Sequence, residues 1–287
     1  MTNSLRNSEI AGVGHYVPER VVTNADLITL MDTTDEWIQE RTGIKERRWF
    51  TEGTDTTANM GAKAARRALE MAGLEPDDVQ MIVFATLSPD YFFPGSGVLL
   101  QRELGIKAPI PAFDVRNQCS GFVYALSMAD QFIKTGMYDN VLVVGSEIHS
   151  SGLDISTRGR AVSVIFGDGA GAVLMRPSTR EGHGVLSTHL HAQGEYAEEL
   201  IVKEPSSNRQ DRTAFIQNLE NEVELYPIMN GQNVFKHAVV RFPQVIREAL
   251  DANGYQPHDL DMLIPHQANL RITQYVQQKM GLSDDKV

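Results

Sequence analysis

The feature that most constrains this chain is a regular alternation of helix-like and strand-like segments between residues 55 and 175. Such an alternation is typical of a sheet that is covered by helices. The predicted helices are 58–72, 98–104 and 121–134, and a glycine follows soon after each of them. The predicted strands are 79–86, 112–115 and 140–145. The pattern therefore predicts an α/β fold.

Further elements follow in the rest of the chain. Segments 162–166 and 170–175 flank the turn 167–169 and are predicted to form a β-hairpin, because Asp-Gly favours the turns that join paired strands. The composition becomes polar near 176–184, and we place a domain boundary there, with domains 1–178 and 179–287. In the second domain, strands are predicted at 185–189 and 260–264, and helices at 234–252 and from about 267 to 280.

Composition and charge narrow the class of protein. The chain has 26 Lys and Arg against 37 Asp and Glu, a net charge of −11, and 42% apolar residues, which is typical of a globular protein. Without a run of basic residues, nucleic acid is not expected as a partner. The apolar stretches are far shorter than the roughly 18 residues of a membrane span, and residues 1–10 do not resemble a secretory signal. We therefore expect a cytoplasmic protein with no membrane partner.

The single cysteine, Cys119, lies between a predicted strand and a predicted helix. Free backbone amides and the helix dipole stabilise a thiolate at a helix N-terminus, so we expect the pKa of this thiol to fall below its ordinary value. Cys119 is therefore a candidate nucleophile. The alternative is inert packing, because free cysteine is among the most buried residue types.

His266 is the candidate base for this nucleophile, since it directly follows the predicted strand 260–264. Ligands of α/β sheets bind at the carboxyl ends of strands, and Cys119 and His266 both follow such an end. The alternative for His266 is a histidine that caps a helix or is satisfied in the core. The other histidines show no spacing with Cys, Asp or Glu that is typical of a metal site, so no metal is expected.

Five motifs stand in order along the chain: DTTDEWIQERTGIKERR (32–48), QCSGFVYAL (118–126), IFGDGAGAVLM (165–175), NGQNVFKHAV (230–239) and LIPHQANLRI (263–272). Together they resemble the 3-oxoacyl-acyl-carrier-protein synthase III family, the initiating condensing enzymes of type II fatty acid synthesis. The resemblance covers essentially the whole chain. It implies a thiolase-like fold, a five-layer αβαβα sandwich built from two similar halves, and a homodimer.

The resemblance implies an acyltransferase that works by a decarboxylating Claisen condensation. Cys119 is implied to accept the acyl group of an acyl-CoA primer. Malonyl-acyl carrier protein then loses carbon dioxide and attacks the thioester with the help of His266, which gives a 3-oxoacyl-acyl carrier protein. Coenzyme A enters only as part of the substrate, and no cofactor is expected.

The resemblance also implies residues that bind the substrates. Trp37 and Arg158 are implied to sandwich the adenine of coenzyme A, with Arg41 and Asn269 along the rest of its arm. From the residues alone, Trp37 lies in a charged segment that is typical of an exposed helix with salt bridges. Phe93 is implied to cross the dimer interface and close the partner's acyl pocket.

A basic surface is implied to dock the acidic acyl carrier protein, and it consists of Lys236, Arg271 and Lys279. A net charge of −11 repels such a partner, so these three residues must act locally. We expect docking to weaken as salt rises.

Two departures from the family keep alternatives open. The family's third triad residue, an asparagine in a Gly-Asn-Thr segment, follows the PHQAN motif, and the sequence reaches Val287 without it. We therefore expect that the C-terminal part of the fold is missing. Gln118 stands where many members have a small residue, so the acyl group of the primer is left open. The alternatives are a secondary-metabolism acyltransferase or condensing enzyme with another acceptor, and a non-catalytic dimer partner that binds acyl carrier protein.

Overall fold

The computed structural model describes residues 5–204, 206 and 222–287. In this part of the chain, no helix combines the length and the apolar composition that a membrane span requires. The described residues form two compact units. The first contains residues up to Val21, Arg48–Ile148 and Gly167–Thr188, and the second contains Val22–Arg47, His149–Phe166 and the described residues from His189 to Val287. The units interleave along the chain, and the division into domains 1–178 and 179–287 stays a prediction.

The elements are numbered in chain order over the described residues. The strands are β1 (Ser8–Tyr16), β2 (Val21–Thr23), β3 (Glu46–Arg48), β4 (Met81–Ala85), β5 (Ala112–Val115), β6 (Val141–Glu147), β7 (Gly169–Pro177), β8 (Leu200–Ile201) and β9 (Ile228–Met229). The α-helices are α1 (Asn24–Ile28), α2 (Asp35–Thr42), α3 (Thr57–Ala72), α4 (Ser96–Leu104), α5 (Gly121–Lys134), α6 (Arg160–Ser163), α7 (Gly231–Asn253) and α8 (Leu270–Met280).

A five-stranded sheet with the order β1-β7-β6-β4-β5 forms the centre of the first unit. β4 is parallel to β5 and β6, whereas β7 is antiparallel to β6 and β1. The side chains of β4 alternate between the two faces of the sheet: Ile82 and Phe84 pack with α3 and α4, and Met81, Val83 and Ala85 pack with α5. Helices therefore cover both faces, which explains why every residue of β4 is buried. The predicted α/β class is confirmed.

Local sequence determines the ends of these helices. The Thr56 side chain accepts a hydrogen bond from the backbone N–H of Asn59 and caps α3, and Gly73 ends α3 with a left-handed φ of 69°. β5 and α5 have the predicted bounds, 112–115 and 121–134. The predicted placement of Cys119 between a strand and a helix is therefore confirmed.

The predicted hairpin of 162–166 and 170–175 is wrong. The first segment overlaps the short helix α6, and β7 pairs with β1 and β6 instead. Hydrogen bonds to the segment 48–50 hold the turn between α6 and β7. The Asp168 carboxylate accepts a hydrogen bond from Phe50 N at 2.7 Å, and Asp168 N donates to Arg48 O at 2.8 Å. These bonds fix the Asp-Gly turn without a paired strand on its N-terminal side.

The predicted strands 185–189 and 260–264 are also wrong, since neither segment is a strand in the structure. Val185 N donates to Ser8 O at 2.8 Å, and Leu263 N donates to Lys286 O at 2.7 Å. A strand requires a ladder of such bonds with a neighbouring strand, and single bonds do not provide one. The apolar residues of these segments therefore lie on irregular chain.

The described core of the second unit is helical. Leu250 of α7 packs with Ile272, Val276 and Met280 of α8, and Leu282 belongs to the same buried cluster. The predicted helix 234–252 extends over Gly231–Asn253, and the helix predicted to end at Met280 does so. Amphipathic spacing identified both helices because their apolar faces pack against each other.

Candidate active site

Cys119 is presented by a tight turn between β5 and α5. Gly121 N donates to the carbonyl oxygen of Gln118 at 2.9 Å, and Asn117 Nδ2 donates to Ser120 Oγ at 2.9 Å. Gln118 has a φ of 22°, and it is the one non-glycine residue with a positive φ in the described chain. The turn leaves the side chain of Cys119 exposed, which does not fit the alternative of inert packing in the core.

The environment of Cys119 raises the pKa of its thiol, contrary to the predicted lowering. Desolvation by the surrounding protein is the largest cause, and the negative charge of Glu147, at the end of β6, acts in the same direction. The backbone N–H of Cys119 interacts with its own sulfur and opposes them only in part. The sulfur is therefore a thiol at neutral pH and must lose its proton as it attacks.

His266 lies between the α7 helix and the N-terminus of α8. Its side chain reaches solvent, yet desolvation by neighbouring atoms lowers the pKa of its imidazole. Asn269 caps α8, because its side chain accepts a hydrogen bond from Arg271 N at 2.9 Å, so His266 is not the helix cap. The lowered pKa keeps His266 neutral at neutral pH, and a neutral imidazole has both a donor and an acceptor nitrogen.

Cys119 belongs to the first compact unit and His266 to the second. Each is described within its own unit, and their action as a pair stays a prediction. Among the described residues, no group of three His, Cys, Asp or Glu side chains is arranged to hold a metal ion.

The residues predicted to bind coenzyme A all belong to the second unit. The guanidinium carbon of Arg41 lies 4.3 Å from the centroid of the Trp37 ring. Arg158 forms a salt bridge with Asp154 and lies 5.8 Å from the ring centroid of Tyr226. The structure thus brings Trp37 and Arg41 together, and the sandwich of adenine between Trp37 and Arg158 stays a prediction.

Arg160 is a residue near Trp37 that sequence reasoning missed. Its guanidinium carbon lies 5.2 Å from the Trp37 ring centroid, and its Nη1 donates to the backbone oxygen of Asp32. The sequence contains no signal that distinguishes Arg160 from other surface arginines, since the two segments are far apart along the chain.

Phe93 lies in the loop between β4 and α4 and is 82% exposed. Phe92 and Tyr91, its neighbours, are 83% and 60% exposed, so three aromatic side chains in a row face solvent. The end of the loop is fixed, because the Asp114 carboxylate accepts hydrogen bonds from Ser96 N at 2.7 Å and Gly97 N at 2.8 Å. An exposed aromatic patch of this kind is typical of an interface, while the partner of Phe93 stays a prediction.

The three predicted docking residues, Lys236, Arg271 and Lys279, are exposed and belong to the second unit. Lys236 lies on α7, and the other two lie on α8. Arg271 lies over the ring of Phe235, 5.7 Å from its centroid. Their role in docking stays a prediction.

Comparison with known proteins identifies the family of the chain. The family model described as 3-oxoacyl-[acyl-carrier-protein (ACP)] synthase III matches residues 113–194, and the model of its C-terminal part matches 250–287. Beta-ketoacyl-[acyl-carrier-protein] synthase III of Salmonella arizonae is 46% identical over 280 residues, which cover 98% of this chain and 83% of the relative.

Two solved structures are similar along the chain. The 3-oxoacyl-[acyl-carrier-protein] synthase III of Aquifex aeolicus is 40% identical with a TM-score of 0.85, and the match covers 98% of this chain and 83% of that one. The priming beta-ketosynthase of the R1128 polyketide pathway is 34% identical with a TM-score of 0.85, and the match covers 100% of this chain and 82% of that one.

The thiolase-like fold and the relatives together place the chain among the acyl-transferring condensing enzymes. The chain belongs to the 3-oxoacyl-[acyl-carrier-protein] synthase III family. Enzymes of this family catalyse the initiating condensation of acyl-CoA with malonyl-acyl carrier protein in fatty acid synthesis. The predicted family, enzyme class and reaction are thereby confirmed.

The expectation that the C-terminal part of the fold is missing is not borne out. The relatives match 98% of this chain. Near residue 287, Leu282 is buried with α8 and Lys286 Nζ donates to His258 O at 3.3 Å.

Proposed function

We propose that this chain primes acyl-chain synthesis through a thioester on Cys119, which malonyl-acyl carrier protein then extends by two carbons. The observation that supports this most directly is the exposed thiol at the junction of β5 and α5. Because Cys119 is the only cysteine of the chain, an acyl thioester has a single possible position.

The first step transfers the acyl group. The Cys119 sulfur attacks the carbonyl carbon of the acyl-CoA and loses its proton, the bond from that carbon to the coenzyme sulfur breaks, and the coenzyme leaves as a thiol. The backbone N–H of Cys119 lies beside the attacking sulfur, close to the start of α5. It is therefore suited to donate a hydrogen bond to the oxyanion that forms on the attacked carbonyl.

The second step forms the carbon–carbon bond. The malonyl group loses carbon dioxide, and its carbanion attacks the Cys119 thioester, which releases the sulfur and gives the 3-oxoacyl product. We assign the neutral imidazole of His266 as the donor of a hydrogen bond to the malonyl thioester oxygen, where enolate charge develops. The chemistry needs a thiol and an imidazole, so coenzyme A takes part only as the carrier of the primer.

The coenzyme arm of the primer is assigned to Trp37, Arg41, Arg158 and Asn269. An indole stacks on a purine, and guanidinium groups bind both aromatic faces and phosphate. The half-buried ring of Trp37, with Arg41 over it, offers this combination in the second unit.

Exposed residues support the proposed homodimer and the proposed docking of the carrier protein. Phe93 supports a homodimer in which this side chain closes the partner's acyl pocket. Lys236, Arg271 and Lys279 support local docking of the acidic carrier protein. The fold is assigned as the five-layer αβαβα sandwich of two halves, and the protein as cytoplasmic.

The experiment is intact-protein mass spectrometry after incubation with acyl-CoA esters of increasing chain length. The expected result is one acyl adduct per chain, which is lost in Cys119→Ser and is discharged by malonyl-acyl carrier protein with release of a 3-oxoacyl product. An adduct that persists in Cys119→Ser would overturn the assignment of the nucleophile. A folded protein with no adduct would favour the non-catalytic dimer partner.

The second candidate is a priming enzyme of secondary metabolism. It is favoured by the similarity to the priming ketosynthase of a polyketide pathway and by Gln118, which places a larger side chain next to the nucleophile. Acceptor dependence distinguishes the two. An acyl-enzyme that transfers its group to another acceptor, and not to malonyl-acyl carrier protein, would support the second candidate.

A further inference from the structure

Arg47 is a buried arginine that connects two segments of the second unit. The proposed function assigns residues of both segments to the coenzyme arm. Arg47, on β3, is only 6% exposed and forms no salt bridge with a described carboxylate, and the charge of the neighbouring Glu46 offsets its desolvation only in part. Its Nη1 donates to Asn24 Oδ1 at 2.8 Å and to Val22 O at 3.3 Å, and its Nη2 donates to Val164 O at 3.0 Å. Burying a charge without an ionic partner is costly, so a guanidinium held only by neutral oxygens calls for an explanation.

The first link runs from Arg47 to α2. Asn24 is 2% exposed, and its Nδ2 donates to Asp35 Oδ1 at 2.7 Å while its Oδ1 accepts from Arg47. The other carboxylate oxygen of Asp35 accepts from Gln39 Nε2 at 2.7 Å. Asp35 lies in the first turn of α2, two residues before Trp37. The buried guanidinium is therefore connected, through one amide, to the turn that carries the indole.

The second link runs from Arg47 to the segment that follows Asp154. Val164 directly follows α6, which begins at Arg160, and the backbone oxygen of Val164 accepts from Arg47. Arg160 in turn lies over the Trp37 ring at 5.2 Å. Arg47 thus contacts the segment of Arg160 on one side and, through Asn24, the helix of Trp37 on the other.

The same two segments also meet nearer the surface. The N–H of Asp32 donates to Thr157 Oγ1 at 2.9 Å, and the Asp32 oxygen accepts from Arg160 Nη1. Hydrogen bonds near the surface compete with water, whereas buried ones do not. The hydrogen bonds of Arg47 therefore connect the two segments without competition from solvent.

We infer that Arg47 is a positioning residue for the coenzyme arm. Through Asn24 it holds the segment that contains Trp37 and Arg41, and through Val164 it holds the segment that contains Arg158 and Arg160. The two segments therefore keep a fixed separation. The inference rests on the proposed function, which places the nucleotide of the acyl-CoA at these side chains. Lysine cannot replace the guanidinium, because one ammonium does not reach acceptors on both sides as a planar fork does.

The test compares two acyl donors that differ only in the nucleotide. One is the acyl-CoA, and the other is the acyl-pantetheine thioester, which lacks the adenine and its phosphates. Rates of Cys119 acylation are measured by intact mass for the wild type, Arg47→Met, Arg47→Lys and Asp35→Ala. Asp35→Ala breaks the outer end of the link without exposing the buried guanidinium. Arg48→Met is the matched control, since Arg48 neighbours Arg47 on β3 but donates to Pro18 O at 3.1 Å.

We expect Arg47→Met to lower kcat/KM for acyl-CoA by at least about tenfold, through KM, and to change acylation by acyl-pantetheine by less than about twofold. Arg47→Lys and Asp35→Ala should show the same selective loss, and Arg48→Met should show none. Equal loss with both donors, or no loss with either in folded variants, would overturn the inference. If Arg47→Met does not fold, Asp35→Ala decides by the same criterion. A wild type that neither donor acylates would overturn the proposed function instead.

Discussion

Glu147 raises the pKa of the Cys119 thiol by its negative charge, in addition to the larger effect of desolvation. The Glu147 carboxylate is held in place by two residues that follow β4, because Leu87 N donates to it at 2.9 Å and Ser88 Oγ donates to it at 2.6 Å. These hydrogen bonds fix the position of the Glu147 carboxylate within the first unit.

Alkylation of Cys119 should therefore depend on pH with a midpoint above that of free cysteine. The thiolate is the reactive form, and its population grows only as the pH rises towards the raised pKa. The measurement is the rate of reaction with iodoacetamide, followed by intact mass. Glu147→Gln should lower the midpoint, and Glu9→Gln, which removes a carboxylate bound to Arg176, should leave it unchanged. A midpoint at or below that of free cysteine would contradict the prediction.

His266 should support condensation down to a pH below the usual range of histidine. Desolvation lowers the pKa of its imidazole, so the neutral form, which is present above the pKa, persists as the medium becomes mildly acidic. The measurement is single-turnover condensation from pre-acylated enzyme across pH. An acid limb whose midpoint lies above that of free histidine would be inconsistent with this assignment.

The variant His266→Ala should lose condensation by about 10²- to 10³-fold and keep acylation of Cys119 within about twofold. The hydrogen bond to the developing enolate is needed only in the second step. His258→Ala is the control, because the side chain of His258 is 82% exposed and lies beside Asp259. If His266→Ala slowed both steps equally, the imidazole would not be specific to condensation.

Trp37→Ala should raise KM for acyl-CoA by about 5- to 150-fold, which corresponds to the roughly 1–3 kcal/mol of base stacking on an aromatic ring. Acylation by acyl-pantetheine should change little, because that donor has no base to stack. The other tryptophan provides the control: Trp49 is 6% exposed, so Trp49→Phe should affect thermal stability and not the preference between the two donors. Equal KM changes in both variants would refute a specific contact with the nucleotide.

The centre of the fold could be predicted because its signals are local. The buried run of β4, the Thr56 cap and the Gly73 stop each lie within a few residues of the element they define. The pairing of β7 could not be predicted in this way, because its partner β1 comes from the other end of the unit. An Asp-Gly turn indicates that the chain reverses. Tertiary hydrogen bonds, such as that from Phe50 N to Asp168, then determine whether the segments on its two sides pair as strands.

The candidate site shows the same division between local and tertiary signals. The sequence around Cys119 predicts the nucleophile, but the local rule for helix N-termini gave the wrong direction for the pKa of its thiol. Desolvation and the charge of Glu147 raise that pKa. Arg47 and Arg160 were missed for a related reason. An arginine is ordinarily a surface residue, and only the packed structure shows which one is buried or lies over Trp37.

The close packing of β1 on α3 provides the sharpest test of the first unit. A Cβ added at Gly14 would lie 2.1 Å from the backbone oxygen of Ala64, so Gly14→Ala requires the helix to move away from the sheet. We expect a loss of at least about 3 kcal/mol in the free energy of unfolding, at the upper end of what overpacking costs. Gly171→Ala on β7 is the matched control, since nothing lies within 4 Å of a Cβ at that position. Urea titration followed by circular dichroism measures both variants, and similar midpoints would show that α3 is not packed against β1 in this way.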